Sequence, residues 1–203
     1  MVITHVRVTE SWQGYYGNIS GTITLDDANN YTLYDWSSPT PSGEIYASNG
    51  SSVTWSNIYC LNVTQNGSTV NGIPRPDGSV TNINGSQIEL NFGINNTDKD
   101  GLTETFNDTF IDSFTVGSEN FDVTDGCSAA HPYTNQIYAE TEWQELLLSD
   151  NGTLIFTAII RNNANGFQPG TEDTYDFQML VLENGHTESA ASTTPYYFFV
   201  ELT

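Results

Sequence analysis

Positive charge is the scarcest feature of this 203-residue chain. Only Arg7, Arg75, Lys99 and Arg161 carry a permanent positive charge, against 25 acidic residues, which gives a net charge of −21. Four cations are too few to neutralise a phosphate backbone or a patch of anionic lipid headgroups. The composition therefore argues against nucleic acids and membrane surfaces as partners.

Long apolar runs are also missing. No run approaches the length that crosses a bilayer, and no secretory leader is recognisable, so we expect no direct membrane insertion of this segment. We expect either a chain whose targeting segment has been removed or an excised ectodomain, and Met1, which leads straight into a strand-like segment, favours the ectodomain.

Cysteine and histidine are sparse and lack the spacing of metal or redox motifs. Cys60 and Cys127 are the two cysteines. In an oxidising compartment they would form a disulfide worth about 4 kcal/mol, and two buried free thiols are the alternative. His5, His131 and His186 show no zinc-binding spacing, and we expect all three at the surface.

Alternating apolar residues dominate what the chain does contain. Two apolar segments, Glu142–Ser149 and Thr153–Arg161, flank Asp150-Asn151-Gly152, a combination typical of an antiparallel hairpin. The second segment is apolar on both faces, which predicts a strand in the middle of a sheet that is covered on both sides.

The whole pattern predicts an all-β fold, an antiparallel β-sandwich or jelly-roll with long loops and little helix. We expect residues 1–203 to form a single domain with a polar excursion at about residues 64–86, two smaller β units being the alternative. Alternation also predicts strands over Gln87–Ile94 and Leu102–Phe106 and a final strand with Tyr196, Phe198, Val200 and Leu202 on one face.

Asn-X-Ser/Thr sequons are more frequent than the composition requires. Chance would give roughly 4 to 5 such glycosylation acceptors, and the chain has nine. The alternative explanation is that Asn, Ser and Thr all concentrate in turns. We interpret them as glycosylation sites of an extracellular or surface-displayed protein: Asn18, Asn30, Asn49, Asn62, Asn66, Asn84, Asn95, Asn107 and Asn151.

An acidic loop offers a possible calcium site. Oxygen ligands at alternate positions and a following glycine can wrap Ca²⁺, and the loop resembles the calcium loops of EF-hand, dockerin and thrombospondin-type repeats. The resemblance implies ligands at Asn96, Asp98, Asp100 and the Leu102 carbonyl, and Glu104, Asp108 or a residue from elsewhere would have to complete the shell. Asn107 stands where an EF-hand has its bidentate glutamate, so an acidic hairpin loop without metal is the alternative.

A glycine-punctuated aromatic segment offers a possible sugar-binding surface. Trp12, Tyr15 and Tyr16 could stack on pyranose rings if residues 11–18 form a loop, and packing at the end of a sandwich is the alternative. A pair of acidic residues suited to glycoside hydrolysis could also form in three dimensions, although no pair stands out in the sequence.

The segments Trp12–Asn18, Asp98–Gly101, Asp125–Cys127, Tyr175–Met179 and Tyr196–Leu202 together resemble a group of archaeal cell-surface β-rich proteins of uncharacterised activity. The resemblance implies an exported, glycosylated β domain. We therefore expect a structural protein that acts outside the cell and not an enzyme: a subunit of a surface layer or filament, or an exposed adhesin domain. Its partners would be copies of itself, other surface proteins or glycans. A carbohydrate-binding module is the first alternative, and a secreted hydrolase with an acidic active site is the second.

Overall fold

The structure is a computed structural model that describes most of the chain. The residues it describes are 1–9, 11–19, 22–26, 32–37, 40–63, 69–72, 82–94, 98–110, 112–122, 125, 127–132, 142–166, 174–183 and 194–203.

Antiparallel strands make up most of the described residues. The strands are β1 Val2–Arg7, β2 Trp12–Asn18, β3 Thr22–Asp26, β4 Thr32–Ser37, β5 Gly43–Ser48, β6 Tyr59–Val63, β7 Thr69–Gly72, β8 Asn82–Asn84, β9 Asp108–Thr109, β10 Phe114–Val116, β11 Glu119–Phe121, β12 Ser128–Ala130, β13 Glu145–Ser149, β14 Leu154–Ile159, β15 Ala164–Asn165, β16 Thr174–Tyr175, β17 Phe177–Leu182 and β18 Tyr197–Leu202. The helices are α1 Gly85–Asn91, α2 Leu102–Thr105 and a 3-10 turn at Trp55–Asn57.

The central hairpin organises the largest sheet, as the sequence predicts. Leu147 of β13 pairs with Phe156 of β14, and β14 pairs on its other side with β5. The strand order among the described residues is β18-β5-β14-β13-β6-β7-β8, and β12 and β9 continue from β13. β7 and β8 are the short strands that the polar excursion contributes to one end of this sheet.

Both faces of the large sheet are covered, which confirms the sandwich. On the first face, Phe156 and Leu147 pack with Trp12 of β2 and Met179 of β17, which belong to a smaller sheet of order β1-β2-β17. On the second face, Ile155 of β14 belongs to a cluster that includes Leu146 and Leu148 of β13 and, from the segment around β10 and β11, Phe110, Phe114, Val116 and Phe121. Residues of alternate parity on β14 therefore enter different cores.

A disulfide bond fastens this second core. Cys60 of β6 and Cys127, just before β12, are bonded to each other, so the alternative of two free thiols is wrong. Both residues are buried. With a sequence separation of 67, the crosslink stabilises the fold by about 4 kcal/mol on the chain-entropy model.

Two of the predicted strands are wrong. Residues of Gln87–Ile94 lie largely in α1 and the turn after it, and Leu102–Phe106 covers α2. Ile88 and Phe92, four residues apart, both pack against the first core, whereas Leu90 between them is 63% exposed. Spacing by four places residues on one face of a helix, so the alternation seen in the sequence was coincidental.

No helix in the described parts of the chain is long and apolar enough to cross a membrane.

Candidate functional site at the edge of the large sheet

β18 is held along its whole length by β5. The two strands pair antiparallel from Tyr197 opposite Ser48 to Leu202 opposite Gly43. Beyond the last pair, Thr203 N donates to Ser42 O at 3.1 Å, and Ser42 Oγ donates to Thr203 O at 2.6 Å. These contacts fix the register of β18 on the sheet.

The other side of β18 is an open sheet edge. Within the described residues β18 pairs with β5 alone, and its Tyr197 and Val200 side chains are 44% and 38% exposed. Natural proteins protect such edges with charged side chains, above all Lys, and with Pro, bulges or short strand length. β18 is six residues long, contains no Lys, Arg or Pro, and pairs with β5 in an unbroken register. Apart from its one charged residue, Glu201, it therefore presents an apolar template for pairing with another strand.

Two glutamates face each other where β18 meets β5. Glu44 and Glu201 are directly opposite in the register, on the same side of the sheet as Tyr46. Tyr46 Oη donates to Glu201 Oε2 at 3.0 Å, and Gly117 N, in the β10–β11 turn, lies 3.2 Å from Glu201 Oε1. Glu44 is 4% exposed, and its Oε2 has no hydrogen-bond partner within the described part of the chain.

Burial and like charge both oppose ionisation of Glu44. Desolvation, and then the negative charge of Glu201, raise the pKa of Glu44 to about 7. Burial and both glutamates also raise the pKa of Tyr46, so the phenol stays neutral and remains a donor. Near neutral pH, the pair therefore carries a proton on a fraction of the molecules.

The sequence alone did not single out this pair. Each glutamate interrupts an apolar strand, in Gly43-Glu44-Ile45 and in Val200-Glu201-Leu202, and that interruption is the only sequence signal. Their juxtaposition depends on β18 crossing to β5 from the far end of the sequence.

The expected aromatic loop is a strand, so that prediction is wrong. Trp12, Tyr15 and Tyr16 all lie in β2, and Trp12 is 2% exposed with its indole Nε1 donating to Asp100 O at 2.6 Å. Tyr15 packs against Phe198, with ring centroids 5.0 Å apart. A buried indole offers no face for a sugar ring.

The acidic loop lies beside α2. Asp98, Asp100 and Glu104 are described, whereas Asn96 is outside the described residues. Leu102 is buried, and its N–H donates to Glu89 Oε1 at 2.8 Å. Its carbonyl, the predicted calcium ligand, accepts a hydrogen bond from Phe106 N at 3.0 Å. Over the described ranges, no group of three or more His, Cys, Asp or Glu side chains is arranged to hold a metal ion. Calcium binding by this loop stays a prediction.

Four of the sequon asparagines are described with their surroundings, and all four are exposed: Asn18, Asn49, Asn107 and Asn151. Asn62 lies in β6 and Asn84 in β8. Asn30, Asn66 and Asn95 fall outside the described residues. Exposure is necessary for glycosylation, and occupancy stays a prediction.

His131 is buried, contrary to the prediction of a surface histidine. Its side chain is 0% exposed, its Nδ1 lies 3.0 Å from Trp143 O, and its Nε2 lies 3.9 Å from Asp108 Oδ2. His5 lies in β1, and His186 is outside the described residues. The position of His131 suits an internal anchor better than contact with a substrate.

A polar pocket of about 330 Å³ lies near the end of β14. Arg161 borders it, but the guanidinium is already paired with Asp112, and its Nε donates to Glu142 O at 3.0 Å. The residues that line the pocket are Glu142, Arg161, Asn162, Asn163, Ala164 and Asn165. They bring together amide groups and one neutralised cation, which define no particular reaction.

By its fold and this edge, the chain is an all-β sandwich protein with an open apolar sheet edge. Comparison of the chain with protein-family models, with curated proteins and with solved structures gives no match in any of the three.

Proposed function

We propose that this chain is a structural protein of the cell exterior that assembles with copies of itself through the open edge of β18. In this proposal it is a subunit of a surface layer or filament, or an exposed adhesin domain. The observation that carries the proposal is the open, largely apolar edge strand with Tyr197 and Val200 exposed on it.

The sequence of β18 suits pairing with a second copy of itself. A two-fold axis normal to the sheet keeps each side chain on its own face, so residues of equal parity meet. With Phe199 opposite Phe199 of the second copy, Phe198 faces Val200, and Glu201 faces Tyr197. The single acidic residue of β18 therefore meets an aromatic ring and not another acid, so this register avoids a like-charge contact.

Four features support a location outside the cell. The Cys60–Cys127 disulfide is typical of oxidising compartments, and the sequon asparagines Asn18, Asn49, Asn107 and Asn151 are exposed. The scarcity of bases and the resemblance to archaeal surface proteins point the same way. Other surface proteins and glycans are further partners in this proposal, and calcium at the Asp98–Glu104 loop is its cofactor.

The two alternative functions have less support. A carbohydrate-binding module would need exposed rings, and Trp12 is in the core. A hydrolase would need acidic groups that a substrate can reach, and Glu44 is 4% exposed. We therefore favour the structural role.

Substitution of Val200 by Lys tests the proposal. A charged side chain on an open edge opposes pairing with another strand, so Val200→Lys should shift the purified chain from oligomer to monomer. The measurement is sedimentation velocity across a concentration series at moderate ionic strength. A wild-type chain that stays monomeric at all concentrations, with and without calcium, would contradict the proposal.

Val8→Lys is the matched control. Val8 follows β1, the edge strand of the small sheet, and is 51% exposed, which is comparable to Val200. The Val8→Lys substitution should leave association unchanged. If Val8→Lys prevents association and Val200→Lys does not, the contact between copies lies at β1. That result would favour assembly by donation of the N-terminal strand to a neighbouring copy.

A further inference from the structure

Where the edge strand β18 pairs with β5, two acids lie opposite each other, which is an unusual contact for a sheet. Like charges directly opposite on neighbouring antiparallel strands are destabilising. Glu44 lies between Ile159 of β14 and Glu201 of β18 in the register, so it has an apolar residue on one side and an acid on the other. Nothing in this register offers Glu44 a counter-ion.

The surrounding groups do not compensate for two charges. Glu201 accepts hydrogen bonds from Tyr46 Oη and from Gly117 N. Glu44 is nearly fully buried, with an oxygen that no described group satisfies. Arg161, two residues beyond Ile159, is paired with Asp112. Of the two acids, Glu44 is therefore the one that the structure accommodates in its neutral form.

We propose that the Glu44–Glu201 pair controls the docking of β18 by holding one proton. While Glu44 is protonated, β18 stays on β5. Loss of the proton leaves two facing negative charges between the strands, and β18 loosens. Because the outer edge of β18 is the assembly surface of the proposed function, this part of the inference rests on that function, and assembly should weaken as the proton leaves.

The pH range follows from the burial of Glu44. Its pKa is raised from 4.5 to about 7, so the folded chain holds a proton that the unfolded chain releases. The stabilising contribution is complete below about pH 4.5 and is lost as the pH rises through about 7. β18 should therefore be well docked in mild acid and loosened in mild alkali.

Hydrogen exchange of the β18 amides tests the inference directly. The experiment uses the edge-blocked Val200→Lys chain, which reports on docking without assembly. Protection factors for the β18 amides that donate to β5, corrected for intrinsic exchange, should fall about tenfold or more between pH 5.5 and 8.5, since one pKa unit corresponds to a factor of ten. In the same background, Glu44→Gln should give protection that does not change with pH.

Two further variants keep the test decisive. Glu201→Gln removes the opposing charge and should also reduce the pH dependence of β18 protection. This variant replaces Glu44→Gln in the test if Glu44→Gln does not fold. Glu145→Gln alters a buried glutamate on another strand and should leave the β18 response intact. Unchanged protection across the pH range, or the same fall in Glu44→Gln, would overturn the inference.

A divalent cation is the competing way to neutralise the pair. If calcium at pH 8.5 restores protection of β18 to its level at pH 5.5 in an Asp98→Asn chain as well, the two carboxylates bind metal and the inference of a proton-controlled strand fails. If calcium has no effect there and acid does, the proton is the controlling ligand. Sedimentation measures oligomerisation, and hydrogen exchange measures the docking of β18. A negative result in one experiment therefore does not decide the other, and the two proposals can fail independently.

Discussion

One buried carboxyl group joins the two sheets. Glu145 of β13 in the large sheet is fully buried, and its Oε2 accepts the Leu180 N–H of β17 in the small sheet at 2.7 Å. Its Oε1 has no hydrogen-bond partner within the described residues. Burial raises the pKa of Glu145 well above its ordinary value, although the Leu180 N–H lowers it in part. The side chain therefore acts as a neutral acceptor for the edge of β17.

Substitution at Glu145 should separate hydrogen bonding from ionisation. Glu145→Leu leaves the Leu180 N–H without an acceptor and should lower the free energy of unfolding by about 1–3 kcal/mol. Glu145→Gln keeps a carbonyl acceptor and should lose less. Because the folded-state pKa is raised, the wild-type contribution is complete below pH 4.5 and declines as the pH rises, so Glu145→Gln should weaken the pH dependence. Urea unfolding at several pH values measures both effects.

Exposed Glu104 provides the control for that experiment. Glu104→Gln removes the same charge from a surface position and should leave the pH dependence of stability close to wild type. Equal pH profiles for wild type and Glu145→Gln would contradict the assigned role of Glu145.

At the level of elements, the start of β5 allows β18 to approach closely. Gly43 has φ of +124°, a value that L-residues with side chains rarely adopt. A Cβ built at this glycine would lie 2.2 Å from the Glu201 carbonyl oxygen. The backbone of β18 thus occupies the space that any side chain at position 43 would need.

Gly43→Ala should therefore detach β18 more than it disturbs the rest of the fold. We expect a loss of at least about 2 kcal/mol, from backbone strain and from the clash. Thermal unfolding measures the loss, and hydrogen exchange locates it in β18. Gly152→Ala is the control, because its nearest neighbour would be Asp150 Oδ1 at 3.8 Å. A melt of Gly43→Ala equal to that of Gly152→Ala would refute the close approach.

At the level of the whole molecule, charge opposes assembly. A net charge of −21 makes copies repel each other, so the proposed association through β18 would have to overcome a long-range penalty that salt screens. Ionic strength is therefore expected to strengthen association, whereas contacts between opposite charges would weaken with salt.

Calcium should stabilise the chain beyond this screening if the Asp98–Glu104 loop binds it. We expect calcium to raise the melting temperature above that in sodium chloride of equal ionic strength, and a chelator to reverse the rise. Asp98→Asn should remove the difference. A melt that chelator leaves unchanged would count against bound metal.

Local pattern was sufficient for much of the fold and for little of the candidate site. The Asp150–Gly152 turn and the two apolar faces of β14 were evident because hairpin turns and strand alternation are local properties. The same alternation misled at Ile88–Ile94 and at Leu102, where packing against the core selected helices. The glycines after Trp12 suggested an exposed loop that could bind a sugar, but Trp12 lies in the small sheet and its side chain is in the core.

By itself, the sequence determined the β-sandwich class, the central hairpin and the identity of the disulfide partners, since a chain with two cysteines allows one internal pair. Tertiary structure alone decided which strand became the open edge and which acids met across it. Glu44 and Glu201 lie near opposite ends of the sequence, and their contact depends on the register of β18 on β5. Register is a property of long-range strand pairing, and residue spacing along the chain does not encode it.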